Sequence, residues 1–137
     1  MAWLRPTDAG AEGEKLAADF LRRERGFRLV ARNWRNPRDR RDEIDLVCRD
    51  GEVLVFVEVK ARSADALVPG YYAVNARKKR VLLRVCTAYL RRLRPPPVTF
   101  RLDVVEVTRP AAGSAAAPVI LHFENVPLFP KHFRGGR

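Results

Sequence analysis

Four ionisable residues close the two ends of a segment that otherwise reads as protein interior. In EIDLVCRDGEVLVFVEVKAR, residues 43–62, Glu43 and Asp45 stand at one end and Glu58 and Lys60 at the other. Buried charges are costly unless they are paired or ligate a metal. Asp45 and Glu58 are hard oxygen donors of the kind that binds Mg²⁺ together with water and substrate phosphate. A lysine beside them can orient or deprotonate an attacking water, or stabilise charge growing on phosphorus.

That chemistry needs a scaffold that brings the two ends together. Asp50-Gly51 readily takes the positive φ values of a tight hairpin turn, so strands are expected on both sides of it. With those two residues as the turn, Glu43 lies opposite Glu58 and Asp45 opposite Phe56. Period-2 alternation then puts Glu43, Asp45, Glu58 and Lys60 on one face, with Asp45 and Glu58 diagonal neighbours at roughly 7 Å. A four-residue loop keeps this parity, whereas a three-residue loop sends Asp45 to the opposite face. Carboxylates so placed repel one another without a counter-charge, which a divalent cation supplies. The competing reading is a solvated strand end on which Lys60 neutralises Glu58. Both readings stand on these residues, although VLVFV before Glu58 lacks alternation and suits a strand buried on both faces.

The flanking elements follow from periodicity. In AEGEKLAADFLRRERG, from residue 11, Leu16, Ala17, Phe20 and Leu21 keep the helical repeat and Gly26 ends it. FRLVARNWR favours a strand, and NPRDRR, residues 36–41, a basic loop. After a loop containing Pro69-Gly70, NARKKRVLLRVCTAYLRRLR predicts a second helix. Asn75 is its N-cap, Leu82, Val85, Tyr89 and Leu93 lie on one face, and the prolines at 95–97 end it. VTFRLDVVEV is a strand, residues 108–118 a low-complexity loop, 119–129 a last strand beginning VILHF, and 130–137 a basic tail. The order predicts one α/β domain over residues 1–137, with its core at about 11–107 and a central mixed sheet flanked by helices.

Composition narrows the class. Lys plus Arg outnumber Asp plus Glu by 27 to 16, giving a net charge of +11, so a polyanion such as nucleic acid is the expected partner. No window approaches a membrane span and the N-terminal residues lack the apolar run of a signal peptide, so a cytoplasmic protein is expected. Cys48 and Cys86 lack CxxC spacing and fit small core residues.

The blocks GEKLAADFL, ARNWR, EIDLV and FVEVKAR, in that order from about Gly13 to Val107, resemble the YraN family. That family is similar to Holliday-junction resolvases within the restriction-endonuclease-like PD-(D/E)XK superfamily. The resemblance implies a restriction-endonuclease-like fold and a Mg²⁺- or Mn²⁺-dependent endonuclease acting on DNA, branched or otherwise structured, with a homodimer as the working form. It implies that Asp45, Glu58 and the backbone carbonyl of Val59 are metal ligands and that Lys60 is the catalytic lysine. It also implies that Glu14 is a helix-borne acid supporting the metal or its water. Candidates for backbone contact are Arg35, Arg38, Arg40, Arg41, Arg62, Lys78, Lys79 and Arg80. Asp42 replaces the glycine of the family's GEIDL, which adds a negative charge, and the family's acidic residue near Tyr72 is missing. A nucleic-acid-binding protein that keeps the fold without turnover is the alternative, and a scaffold for an acidic protein partner a third.

Overall fold

Residues 6–64, 75–131 and 133 are described by the computed structural model; the Pro69-Gly70 loop, Tyr72 and most of the basic tail lie outside the described residues. The elements are α1 (Pro6–Arg25), β1 (Arg28–Asn36), β2 (Asp39–Asp50), β3 (Val53–Ser63), α2 (Ala76–Arg91), β4 (Phe100–Arg109) and β5 (Val119–Phe123). The strands form one sheet in the order β1-β2-β3-β4-β5. Only β3 and β4 pair in parallel. A parallel pair needs a crossover, and the chain between β3 and β4 carries α2. The expected α/β class, with a mixed sheet flanked by helices and consistent with a restriction-endonuclease-like fold, is what the chain adopts.

Two apolar layers sandwich the sheet. On one face α1 buries Ala17 and Leu21 against Leu46, Cys48, Val55, Val57, Val105 and Val107. On the other, α2 buries Leu82, Val85, Cys86 and Tyr89 against Ile44, Val47, Leu54, Phe56, Leu102 and Val104. Leu54 to Val57 is therefore buried without a break, as the unalternating run predicts. Asn75 caps α2, its side chain accepting from Lys78 N at 2.8 Å. Trp34 and Phe56 meet Tyr89 edge to face at 5.1 and 5.8 Å, which docks α2 on β1 and β3. Both cysteines are free and buried.

Several boundaries differ from expectation. The first helix starts at Pro6, ahead of the residue where apolar periodicity begins. The basic loop shrinks to Pro37 and Arg38, because buried Asn36 accepts from Arg38 N at 3.1 Å and closes a tight turn. Arg35 therefore ends up on β1, with Arg40 and Arg41 on β2. The last strand stops at Phe123, but the chain beyond it still packs. Val126 N donates to Leu102 O at 2.7 Å, and Phe129 lies 4.8 Å from Phe100 and 6.3 Å from Phe56 between ring centres. Buried Asp103 fastens this end, meeting His122 Nε2 at 2.8 Å and accepting from Asn125 N at 2.9 Å and Arg101 Nε at 2.9 Å. Burial alone would raise the Asp103 carboxyl, but these partners together hold it below the usual range.

The hairpin turn is Gly51-Glu52, not Asp50-Gly51, since Asp50 pairs with Val53. Gly51 has φ +59, the positive value that the first central residue of a type II′ turn takes. The shift moves the pairing along by one residue on each strand while preserving parity. The β2–β3 register runs from Asp50↔Val53 to Leu46↔Val57 and stops there, so its continuation places Asp45, not Glu43, opposite Glu58.

One contact sets how closely α1 approaches that split. A Cβ built on Gly13 would lie 2.8 Å from the Cβ of Ala61 on β3. Neither group can swing aside, so a side chain there pushes helix and strand apart. We expect Gly13→Ala to lower unfolding free energy by about 1–3 kcal/mol, the usual range for overpacking. Urea denaturation monitored by circular dichroism checks it, and an unchanged midpoint contradicts the close approach.

Candidate functional site

Where the ladder between β2 and β3 ends, a side chain takes over from the backbone. Asp45 Oδ2 accepts a hydrogen bond from Val59 N at 2.8 Å. In a strand the N–H and C=O of one residue point to the same side. The Val59 carbonyl therefore faces Asp45, beyond the last backbone pair with β2.

The strands skip one side-chain alternation at this level. Ile44 and Val47 both pack in the α2 layer, whereas Leu46 packs in the α1 layer. On β1, Ala31 and Trp34 both pack towards α2, with Asn33 between them at φ +49. Asparagine tolerates that left-handed conformation better than most residues. The skip turns Asp45 and Glu43 towards α1. Oxygens of Glu14, Glu43 and Asp45 come within 4.8 Å of one another there, each side chain half-buried.

Glu58 and Lys60 follow the alternation of Phe56 and so belong to the α2 side. Glu58 is 6% exposed. Its Oε1 lies 3.5 Å from Lys78 Nζ on α2, and its Oε2 is buried with no hydrogen-bond partner among the described residues. The expectation that all four charged residues share one face is thus corrected: two point to each side, because parity counting cannot see the skipped alternation at Asp45. The carboxylates of Asp45 and Glu58 still sense each other through the gap between the strands. Lys60 is exposed, and its charge acts to lower the Glu58 pKa.

The electrostatics are those of acids crowded together. Burial, then Asp45, pushes Glu58 up to about 7. Burial and Asp45 likewise push Glu14 up to about 7, against a hydrogen bond from Asn33 that lowers it. Burial raises the Asp45 carboxyl as well, opposed by the Val59 N–H. The closeness of the two side chains adds to the rise at Glu14 and opposes it at Asp45.

The basic residues expected to touch nucleic acid divide into groups. Arg35 pairs with Glu43 at 3.2 Å and donates to Arg40 O at 2.9 Å. Arg62, largely buried, pairs with fully buried Glu106 at 3.3 Å, so its charge is committed inside the protein. Lys78 reaches Glu58. Arg38, Arg40, Arg41 and Arg80 are exposed, and Lys79 is half-exposed. Asp42 points away from the acids: it is 2% exposed, and Arg84 Nε and Nη2 donate to it at 2.6 and 2.7 Å. The Arg84 hydrogen bond holds its carboxyl below the usual range. The charge added by Asp42 is therefore neutralised on the α2 side.

Some participants escaped the sequence reading. Glu43 is expected beside Asp45, and the structure puts it there with Arg35 as its partner; Asn33, Lys78 as the partner of Glu58, and Glu106 carry no sequence signal for these contacts. The one local signal is Gly13-Glu14: a glycine inside a helix marks a close approach, and the next residue faces the same strands.

A family model described as "Uncharacterised protein family UPF0102" matches residues 13–107. The chain belongs to the UPF0102 family. A UPF0102 protein of Symbiobacterium thermophilum is 48% identical over 98 residues, covering 72% of this chain and 80% of its own length. One of Chlorobaculum parvum is 40% identical over 119 residues, 87% of each chain. A third, of Beutenbergia cavernae, is 44% identical over 113 residues, 82% of this chain and 92% of its own. The YraN resemblance drawn from the four blocks is thus borne out, and Gly13, Glu14, Asp45, Glu58 and Lys60 all lie within the stretch matched by UPF0102.

The raised acids predict an unusual pH response. Glu14 and Glu58 hold their protons more tightly folded than unfolded, so ionising them costs stability as pH rises from 4.5 to about 7. Asp39, Asp42 and Asp103, held low, have already made their contribution above that window. In a chelating buffer, the melting temperature of Asp45→Asn relative to the unaltered protein should therefore rise between pH 4.5 and about 7. A difference that stays flat with pH contradicts the shifts.

Proposed function

We propose that this protein is a divalent-cation-dependent nuclease that hydrolyses phosphodiester bonds in DNA. The observation that carries the reading is the meeting of Glu14, Glu43 and Asp45 within 4.8 Å, beside a buried Glu58 with one oxygen unpartnered among the described residues. Such a group is self-repelling at neutral pH, and its donors are all hard oxygens, a set that suits Mg²⁺ or Mn²⁺. A net charge of +11 supports a polyanionic substrate.

Asp45 and Glu14, with Glu43 fixed at their edge by Arg35, would hold the cation beside the Val59 carbonyl, and Glu58 would reach it across the gap between the strands. The ion supplies Lewis-acid polarisation of a phosphoryl oxygen and a more acidic bound water. Lys60, exposed on β3 beside Glu58, donates to the phosphoryl oxygens or orients the attacking water. The family resemblance extends the reading to branched DNA cut in the cytoplasm by two copies, since a four-way junction is two-fold symmetric.

The alternative, a nucleic-acid-binding protein without turnover, draws on one observation. Lys78 at 3.5 Å already gives Glu58 a counter-charge without any cation.

A panel of single-stranded, duplex, flap and four-way-junction DNA with Mg²⁺ or Mn²⁺ separates the two. Cleavage is expected, with Asp45→Ala and Lys60→Ala each slowing it about 100-fold or more. Activity that survives both substitutions rules out this site. DNA binding without any cation binding by calorimetry supports the silent protein.

A further inference from the structure

Four arginines gather on the other side of β2 from the acid group. A recess of about 460 Å³ opens between the start of β2 and the first half of α2, lined by Asp39, Arg41, Asp42, Arg77, Arg80 and Arg84 around Val81. Residues 77, 80, 81 and 84 fall at the three- and four-residue spacing that makes one stripe of a helix. The adjoining stripe, Leu82 and Val85, is the one α2 buries.

The two aspartates do not cancel this charge, and two of the arginines are fixed by them. Asp39 binds Arg41 through Nε and Nη2 at 3.0 Å each, and Asp42 binds Arg84 through the same two nitrogens. A guanidinium has five N–H donors, so each of these forks still presents about three. Arg77 and Arg80 are exposed and have no acidic partner among the described residues. With four guanidinium groups against two carboxylates the recess carries an excess of two positive charges.

We infer that this recess is a second phosphate-binding subsite, which holds the sugar–phosphate backbone of the nucleic acid to one side of the acid group. The inference rests on the nuclease reading for the identity of the polyanion. Pre-oriented, planar guanidinium forks match phosphate oxygens in a bidentate way, which a solvated lysine cannot do. The recess also stands at a useful distance. Arg41 lies four residues along β2 from Asp45, about 13 Å at the rise of a strand, or roughly four steps of duplex. The side chains of Asp42 and Glu43 face opposite ways, so a single strand carries the recess on one side and the acid group on the other. Asp42 in place of the family's glycine acquires a role here: it anchors Arg84 in the wall.

Binding of a fluorescein-labelled 20-base-pair duplex, measured by anisotropy in EDTA over a salt series, tests the subsite without any cleavage. Arg77→Ala with Arg80→Ala should reduce the slope of log affinity against log salt by about two. Arg22→Ala with Arg23→Ala, on the far helix, removes the same charge and should leave the slope unchanged. Equal loss in both pairs means diffuse charge only and overturns the subsite. So does an unchanged slope in the first pair, while cleavage by the unaltered protein leaves the nuclease reading standing. If polyglutamate displaces the duplex and depends on Arg77 and Arg80 to the same degree, the recess takes an acidic protein and the nucleic-acid assignment fails. An unaltered protein that neither binds nor cuts DNA removes the nuclease reading first, and this inference with it.

Discussion

A carboxylate standing in for a backbone acceptor organises the centre of this molecule. Asp45 Oδ2 takes the Val59 N–H at the point where β2 and β3 stop pairing. Without it, an amide in the middle of a nearly dry sheet would lose its acceptor, at a cost of about 1–3 kcal/mol. With it, the strands can part while that donor stays satisfied. The parting lets one carboxylate from β2 and another from β3 sense each other across the gap. A fully zipped hairpin would give a better ladder and no site.

Around the split, helices on both sides supply what the strands lack. From one side α1 comes close enough at Gly13 and Ala61 to bring Glu14 to Asp45. From the other, α2 sets Lys78 beside Glu58 and Arg84 beside Asp42. Around the split, Glu58 and Asp42 are thus met by opposite charges from α2, whereas Glu14 and Asp45 meet another acid, and burial with that acid raises their pKa values. The uncompensated part is confined to one region. Natural proteins commonly concentrate such unfavourable electrostatics at functional positions.

Much of this could be read from the sequence, for reasons that are local. The hairpin, both helix faces, the N-cap at Asn75 and the unbroken burial of Leu54 to Val57 depend on periodicity and turn chemistry. The four family blocks marked the acids and Lys60. What could not be read was anything that depended on an irregularity. The turn moved to Gly51-Glu52 because glycine took the first central place in it. The skipped alternation at Asn33 and Asp45 has no signature in a hydrophobic pattern, since neither residue is apolar. Arg62 reads as a candidate for nucleic-acid contact because its partner, Glu106, lies 44 residues away on β4. The charge that Asp42 adds could not be discounted from the sequence because its partner, Arg84, lies 42 residues away on α2.

The match to the family model ends at residue 107, yet the interior does not close there. Val126 is bonded to β4, and Phe129 rests on Phe56 and Phe100, two rings that belong to the shared region. A fragment cut at the family boundary would leave those rings facing water, together with the apolar edge of β4 that β5 covers. The C-terminal segment, the least regular part of the described chain, is therefore a lid on the core.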